Sequence, residues 1–129
     1  MVNNSCLTLF LALFFYLCVT IFATVSPQEV HIISAMDDNA LPININCKVQ
    51  EGLRISRQLR AREVFEFNVN ENDVYFCMAV GGKELADWHG FEPARDSGHL
   101  DIFWKLNKDG VFLSYDKSKW DKKADWETE

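Results

Sequence analysis

No charged side chain occurs before Glu29: all 13 Lys and Arg, all 19 Asp and Glu and all 3 His residues lie beyond that boundary or on it. Within the charge-free stretch, Leu7 to Phe22 is almost uninterrupted apolar sequence. This is the layout of a secretory signal peptide. Its apolar core, about 16 residues, falls short of the roughly 20 that a membrane span needs. Small residues at Ala23, Thr24 and Ser26 place cleavage between 23 and 26, so residues 1–25 are read as the leader and Pro27 as near the start of the mature chain. Lys and Arg are missing from the first five residues as well. The α-amino group alone supplies positive charge there, and an uncleaved anchor is the competing reading. The single glycosylation sequon, Asn3-Asn4-Ser5, falls inside the leader, so the mature chain is expected to carry no N-glycan.

The remaining length, roughly 100 residues, fits one domain, and a domain that small has a thin stability margin. A basic excess is absent: the net charge is −6. That argues against nucleic acid or an anionic membrane surface as a partner, since both require a positive face. Cysteine is scarce too. Cys6 and Cys18 leave with the leader, which leaves Cys47 and Cys77. Two cysteines in an oxidising compartment most simply form one bridge, and closing a loop of about 30 residues stabilises by roughly 3–4 kcal/mol. No further ligands stand at a spacing that would make these thiols a metal site.

A sustained helical stripe is likewise missing. What the chain has is alternation with period two, the signature of half-buried strands. In Ile43 to Val49 the odd positions are apolar; Phe65, Phe67 and Val69 share a face, as do Leu100, Ile102, Trp104 and Leu106. Val74 to Val80 is apolar on both sides and reads as a central strand covered on each face. Val30 to Ala35, Leu53 to Leu59 and Val111 to Tyr115 are shorter candidates. Asn70 to Asp73 and Asn107 to Gly110 read as hairpin turns, and Gly81-Gly82 ends the Val74 strand. These signals predict an all-β fold, a small antiparallel β-sandwich of about seven or eight strands over residues 26–115. Residues 116–129 form a charged tail that is either solvated or a terminal strand, with Trp120 and Trp126 favouring the strand.

Catalytic patterns are absent. Ser97, His99 and Asp101 alternate on one strand face and cannot form a relay in series, and no Gly-x-Ser-x-Gly elbow exists. The carboxylates show no spacing that converges a pair across a cleft. A calcium loop starting at Asp116 places Glu127 correctly at its twelfth position, but Trp120 and Asp121 occupy the fifth and sixth, where a ligand and a Gly are required. His31 alternates with Val30 and Ile32 and is expected to face solvent or a neighbour. No catalytic residue, metal site or cofactor is expected. The Arg54, Arg57, Arg60 and Arg62 run is the one basic patch: on a strand, Arg54, Arg60 and Arg62 would share a face. It reads as a charged edge that deters aggregation or as a recognition face for an acidic partner. Trp104 is assigned to the core.

Taken in order, the features resemble the plant self-incompatibility proteins and their S-protein homologues. The matching residues are the leader, Val30-His-Ile-Ile, a strand closing on Cys47, then Gly52, Leu59 and Phe65-Glu-Phe67. Val74-Tyr-Phe-Cys77 and Asp101-Ile-Phe-Trp104-Lys-Leu-Asn-Lys-Asp109-Gly110-Val-Phe follow. The resemblance spans Val30 to Tyr115. It implies a small secreted extracellular β-sandwich, monomeric or weakly associating, that acts as a signalling or recognition ligand for a cell-surface receptor protein and not as an enzyme; the alternative is a secreted enzyme inhibitor or small hydrolase. After leader cleavage neither membrane nor nucleic acid is an expected partner. Two departures stand out. Asn46 replaces the His that commonly precedes the first cysteine, and Ser97 to Trp104 lacks the family's last two cysteines. If the family pairs Cys47 and Cys77 with those two, each would lack its partner here, so their pairing stays open. Recognition in such proteins is carried by loops on a rigid scaffold. The contact candidates are therefore Asp37 and Asp38 in the loop reaching Leu41, Asn72 and Asp73 in the Asn70 turn, Lys83, Trp88 and His89 in the segment Gly81 to Phe91, and Arg95 in Pro93 to Gly98.

Overall fold

Alternation becomes ten strands in the computed structural model, which describes residues 27–50 and 52–128. The expected leader, residues 1–25, lies outside the described residues. The strands are β1 (Glu29–Ser34), β2 (Ile43–Val49), β3 (Arg54–Leu59), β4 (Val64–Asn68), β5 (Tyr75–Gly81), β6 (Glu84–Phe91), β7 (Asp101–Asn107), β8 (Gly110–Ser114), β9 (Asp121–Ala124) and β10 (Glu127–Thr128), with one helical turn at Pro93–Asp96. They form two five-stranded sheets, ordered β4-β1-β7-β8-β9 and β10-β6-β5-β2-β3. The all-β sandwich is as expected, with one departure from antiparallel order: β1 runs parallel to β7, pairing Val30 with Ile102 and Ile32 with Trp104.

The two inner faces interdigitate as a single core. Val30 and Ile32 from β1, Ile102, Trp104 and Leu106 from β7, and Ile43, Ile45 and Cys47 from β2 are buried. Every second residue contributes, because successive side chains point to opposite faces. Trp104 is fully buried, yet its indole N–H is satisfied by the Gly90 carbonyl at 2.8 Å. Trp88 packs against it with ring centroids 5.9 Å apart.

Cys47 and Cys77 are bonded to each other, which resolves the open pairing. They are direct cross-strand partners on β2 and β5, with Cα atoms 4.0 Å apart, so the bridge pins two neighbours within one sheet. On the next strand Gly90 faces that sulfur; a Cβ there would collide with Cys77 Sγ. This close approach explains a glycine inside a strand.

Three features differ from the sequence reading. The segment Gly81 to Phe91 is mostly strand β6, joined to β5 through a tight turn at Gly82 and Lys83. Its buried residues are Ala86, Trp88, Gly90 and Phe91, and Ala86 and Gly90 carry too little side chain to announce an apolar stripe. The β5 strand is central but covered on one face only: Tyr75, Cys77 and Ala79 point inward, while Phe76 is half-buried and Met78 and Val80 are exposed. Arg60 and Arg62 leave the strand for the β3–β4 turn, where Arg62 takes φ 70° and pairs with Asp38 at 2.6 Å. The arginines therefore form no common face. The charged tail takes the strand alternative and supplies β9 to one sheet and β10 to the other.

Candidate recognition surface

Strand directions sort the loops between two ends of the sandwich. The β2–β3, β4–β5, β6–β7 and β8–β9 connections lie at one end, with Gln28 beside them. The β1–β2, β3–β4, β5–β6 and β7–β8 connections lie at the other. Asp37, Asp38 and Lys83 thus fall at the opposite end from Asn72, Asp73 and Arg95, and the candidates do not form one site. Asp37 accepts the Ala40 N–H at its carbonyl, a local turn, and Asp38 is held by Arg62. Trp88 is buried and belongs to the core, which corrects its place among exposed contacts. His89 points outward from β6, edge-on to Phe76 at 4.9 Å and 3.1 Å from a Glu92 carboxylate oxygen.

The β4–β5 turn is a ridge between two hollows. One, of about 510 Å³, includes Glu71, Asn72, Ser97, His99 and Leu100; the other, of about 540 Å³, includes Gln50, Leu53, Asn70, Asp73 and Tyr75. The ridge is stiff for local reasons. The Asn70 side chain accepts the Asn72 N–H at 3.1 Å, and its carbonyl accepts the Asp73 N–H at 3.1 Å. The Asn70 N–H in turn donates to the Tyr75 hydroxyl at 2.9 Å. Asn is suited to this work because its side chain can bond backbone two residues on. Each hollow carries an exposed leucine: Leu53 is 63 % and Leu100 is 59 % exposed. Alternation had placed both inward, but each stands one residue before its strand begins and escapes the pleat. Exposed apolar side chains beside a polar ridge are a common form of contact surface.

One wall of this end is braced by a buried ion pair. Asp96 is fully buried and accepts four hydrogen bonds: Arg95 Nε at 2.8 Å, Arg95 Nη2 at 2.7 Å, the Glu92 N–H at 2.9 Å and the Tyr115 hydroxyl at 2.6 Å. Arg95 also donates to the His89 carbonyl and lies 5.0 Å over the Trp104 ring. Its candidate role as a free contact is therefore replaced by an internal one. Burial by itself would lower the Arg95 pKa, but the Asp96 hydrogen bond and the charges of Asp96 and Glu92 outweigh it, and the guanidinium is held more firmly protonated than usual. Burial, then the Asp96 hydrogen bond, push the Tyr115 phenol up to about 12. Gln28 ties β1 to the same wall through the Asp96 and His99 carbonyls at 3.0 and 2.7 Å, and His99 stacks on Tyr115 at 3.6 Å. The sequence reading missed Asp96 and Tyr115; next to Arg95, Asp96 looks like one more solvated charge.

His31, Asp101 and Asp116 are engaged locally. Asp101, once weighed with His99, instead bonds His31 Nε2 at 2.9 Å, while His31 Nδ1 lies 3.3 Å from Glu66. Glu29, His31 and Glu66 bring possible metal ligands within 4.8 Å of one another on the outer face of the β1 sheet. His31 is oriented there by its Asp101 hydrogen bond, its Glu66 contact and stacking 4.7 Å from Phe103. Asp116, the first position of the tested calcium loop, caps its own turn: its Oδ1 accepts the Ser118 and Lys119 N–H groups at 2.8 and 3.0 Å. These bonds hold its carboxyl well below the usual carboxylate range.

Comparison with known proteins follows the same outline. The family model described as plant self-incompatibility protein S1 matches residues 29–126. Among solved structures, a plant self-incompatibility protein homologue, from a family described as widespread, small, highly stable and secreted, superposes with a TM-score of 0.59 at 12 % identity. The match covers 80 % of this chain and 98 % of that one. A search of curated proteins found no match. The model match extends beyond Tyr115 through β9 to Trp126, and the shared fold is the two-sheet sandwich described above. The chain belongs to the plant self-incompatibility protein S1 family.

Proposed function

We propose that this secreted plant protein acts outside the cell as a non-catalytic recognition ligand, and that it engages a cell-surface protein through the end carrying the β4–β5 ridge. The observation that carries the reading is the pairing of a stiff, acidic ridge with two hollows that each display an exposed leucine. Rigid loops lose little conformational entropy on binding, which favours affinity from a small surface. Glu71 and Asp73 on the ridge suit a partner with basic side chains, flanked by apolar groups that cover Leu53 and Leu100. Family membership supports the extracellular role, and the buried Asp96 brace supports a preformed surface. Among the described residues no helix is long and apolar enough to cross a membrane.

The test is saturable binding of labelled, purified protein to intact plant cells across tissues. The Glu71→Lys/Leu100→Asp double variant should keep the wild-type circular dichroism spectrum and lose at least about tenfold in cell-surface affinity. Undiminished binding by the variant would move the contact elsewhere. Absence of saturable binding to every tissue would remove the ligand reading itself.

A further inference from the structure

The outer face of the first sheet gathers three carboxylates around one imidazole. His31 on β1 is the cross-strand partner of Glu66 on β4, and Glu29, two residues earlier on β1, is that of Asp101 on β7. Alternation turns all four side chains to the same face. His31 is the anchored member: its side chain is only 13 % exposed and stacks on Phe103, while Glu66 and Asp101 are about half open to solvent. Among the described residues no Lys or Arg pairs with any of these three carboxylates, although Asp38, Glu92, Asp96 and Asp125 each have such a partner. Lys117, the cation nearby, sits over the Phe103 ring at 4.8 Å instead. Like charges placed directly opposite on neighbouring strands, as Glu29 and Asp101 are, destabilise a sheet. Something else must balance them.

The two ring nitrogens of His31 indicate what does. Nε2 lies 2.9 Å from an Asp101 oxygen, and an ionised carboxylate only accepts, so Nε2 carries a proton. In a neutral imidazole Nδ1 is then a lone pair, and it faces a Glu66 oxygen at 3.3 Å, acceptor against acceptor. A cation between them removes the conflict, either a second proton on the ring or a metal ion. The proton would leave two of the three negative charges unbalanced, and a divalent ion leaves one. Geometry favours the ion as well. Bonds of about 2.0–2.1 Å in a tetrahedral set put ligand atoms roughly 3.3–3.4 Å apart, the separation that Nδ1 and Glu66 already have. Glu29 supplies a third ligand atom, all three lying within 4.8 Å of one another. Asp101 stands where metal-binding histidines keep an outer carboxylate, which fixes their tautomer and ring orientation.

We propose that Glu29, His31 Nδ1 and Glu66 bind a divalent transition-metal ion, zinc by the chemistry of the donors, with Asp101 as a positioning residue and water completing the shell. One imidazole with carboxylate oxygens suits zinc and its neighbours, whereas calcium and magnesium take oxygen ligands. The set closes through the free torsions of two glutamate side chains, on a central strand that is paired on both edges. The ion ties β4, β1 and β7 together outside the core, next to the start of β7 that follows the exposed Leu100. This departs from the sequence reading, which expected no metal site, because the ligands meet only across strands distant in the chain. It stands independently of the receptor reading.

Calorimetric titration of the metal-stripped secreted protein with zinc chloride at neutral pH tests it. One saturable site of micromolar or tighter affinity is expected, and saturating zinc should raise the melting temperature by several degrees, reversibly with EDTA. Absence of a saturable site means that a second proton alone balances the carboxylates, and overturns the proposal. Glu66→Gln, at an exposed position that leaves the core untouched, and His31→Gln should each weaken zinc binding by at least about tenfold. Asp101→Asn should weaken it by about 10–100-fold while the stoichiometry stays at one. His89→Gln, which removes a histidine outside the set, should bind as wild type does. Unchanged affinity in Glu66→Gln, or binding lost in His89→Gln, overturns the assignment of ligands. Calcium or magnesium binding as tightly as zinc overturns the class of metal.

Discussion

Asp96 shows how much one carboxylate can depend on its surroundings. A charge is costly to bury unless its lone pairs are satisfied. Asp96 meets that condition with four donors drawn from Glu92, Arg95 and Tyr115. Asp96→Ala leaves Arg95 buried over Trp104 without its partner and is expected to cost about 3–5 kcal/mol in urea unfolding. A loss below about 1 kcal/mol would mean that water replaces the carboxylate. Tyr115 adds a pH dependence. Its proton is held more tightly in the folded chain, so its contribution is complete below the ordinary value of 10.0 and is lost as pH rises toward about 12. Tyr115→Phe should flatten that alkaline arm of the melting curve, and an unchanged arm would assign it to other groups. Asp116 acts in the opposite sense: its lowered pKa contributes stability above 3.8 that disappears as pH falls below it. Gly90 completes the residue scale. Gly90→Ala drives a methyl into Cys77 Sγ and should destabilise by about 1–3 kcal/mol by thermal melt, although alanine normally favours a strand over glycine.

At the scale of elements, the disulfide and the tail do different work. Cys47 and Cys77 join neighbouring strands, so their bond closes a loop with a sequence separation of 30. Cys47→Ser and Cys77→Ser should lower stability equally, by roughly 3–4 kcal/mol on chain-entropy grounds; unequal losses would show that one sulfur matters for packing more than for the bond. The tail closes both sheets. β9 covers β8, β10 covers β6, and the Trp126 indole N–H donates to the Asn107 carbonyl at 2.7 Å. Gly110, at φ 143°, sits directly beneath Ala124, where a Cβ would strike the Ala124 carbonyl oxygen. A chain ended after Trp120 should melt several degrees lower and scatter light on heating, because β8 becomes an open edge. An unaltered melting temperature would show β9 and β10 to be superficial. Seven strands were legible, most because apolar residues alternate along them and β5 because it is apolar on both faces. β6 was hidden, since Ala86 and Gly90 were selected for fit against neighbours rather than for apolar bulk.

The whole molecule depends on contacts distant in sequence. β1 pairs with β7, and Val30 meets Ile102 across most of the domain. Folding dominated by such pairings is expected on the millisecond-to-second scale with the disulfide intact, measurable by Trp104 fluorescence in stopped-flow. Microsecond refolding would mean that local hairpins carry the transition state. The candidate surface belongs to this scale as well. Asn70 to Asp73 was legible as a turn, because Asn and Asp bond their own backbone. That Leu53 and Leu100 stand exposed on either side of it was not, since both look like the first inward residue of a strand.

From the sequence alone came the secreted compartment, the period-two pattern of a sandwich, and the pair of cysteines that the expected leader would leave. Each is local, or a matter of counting, and needs no knowledge of neighbours. Tertiary structure alone decided that those cysteines face each other, that Trp88 turns inward while Met78 turns out, and that Asp96 is buried. It also decided that the loop candidates divide between two ends. The reason is physical: exposure and pairing are properties of what lies across the sheet, and in a fold where Glu29 pairs with Asp101, no short window of the chain contains both sides of such a contact.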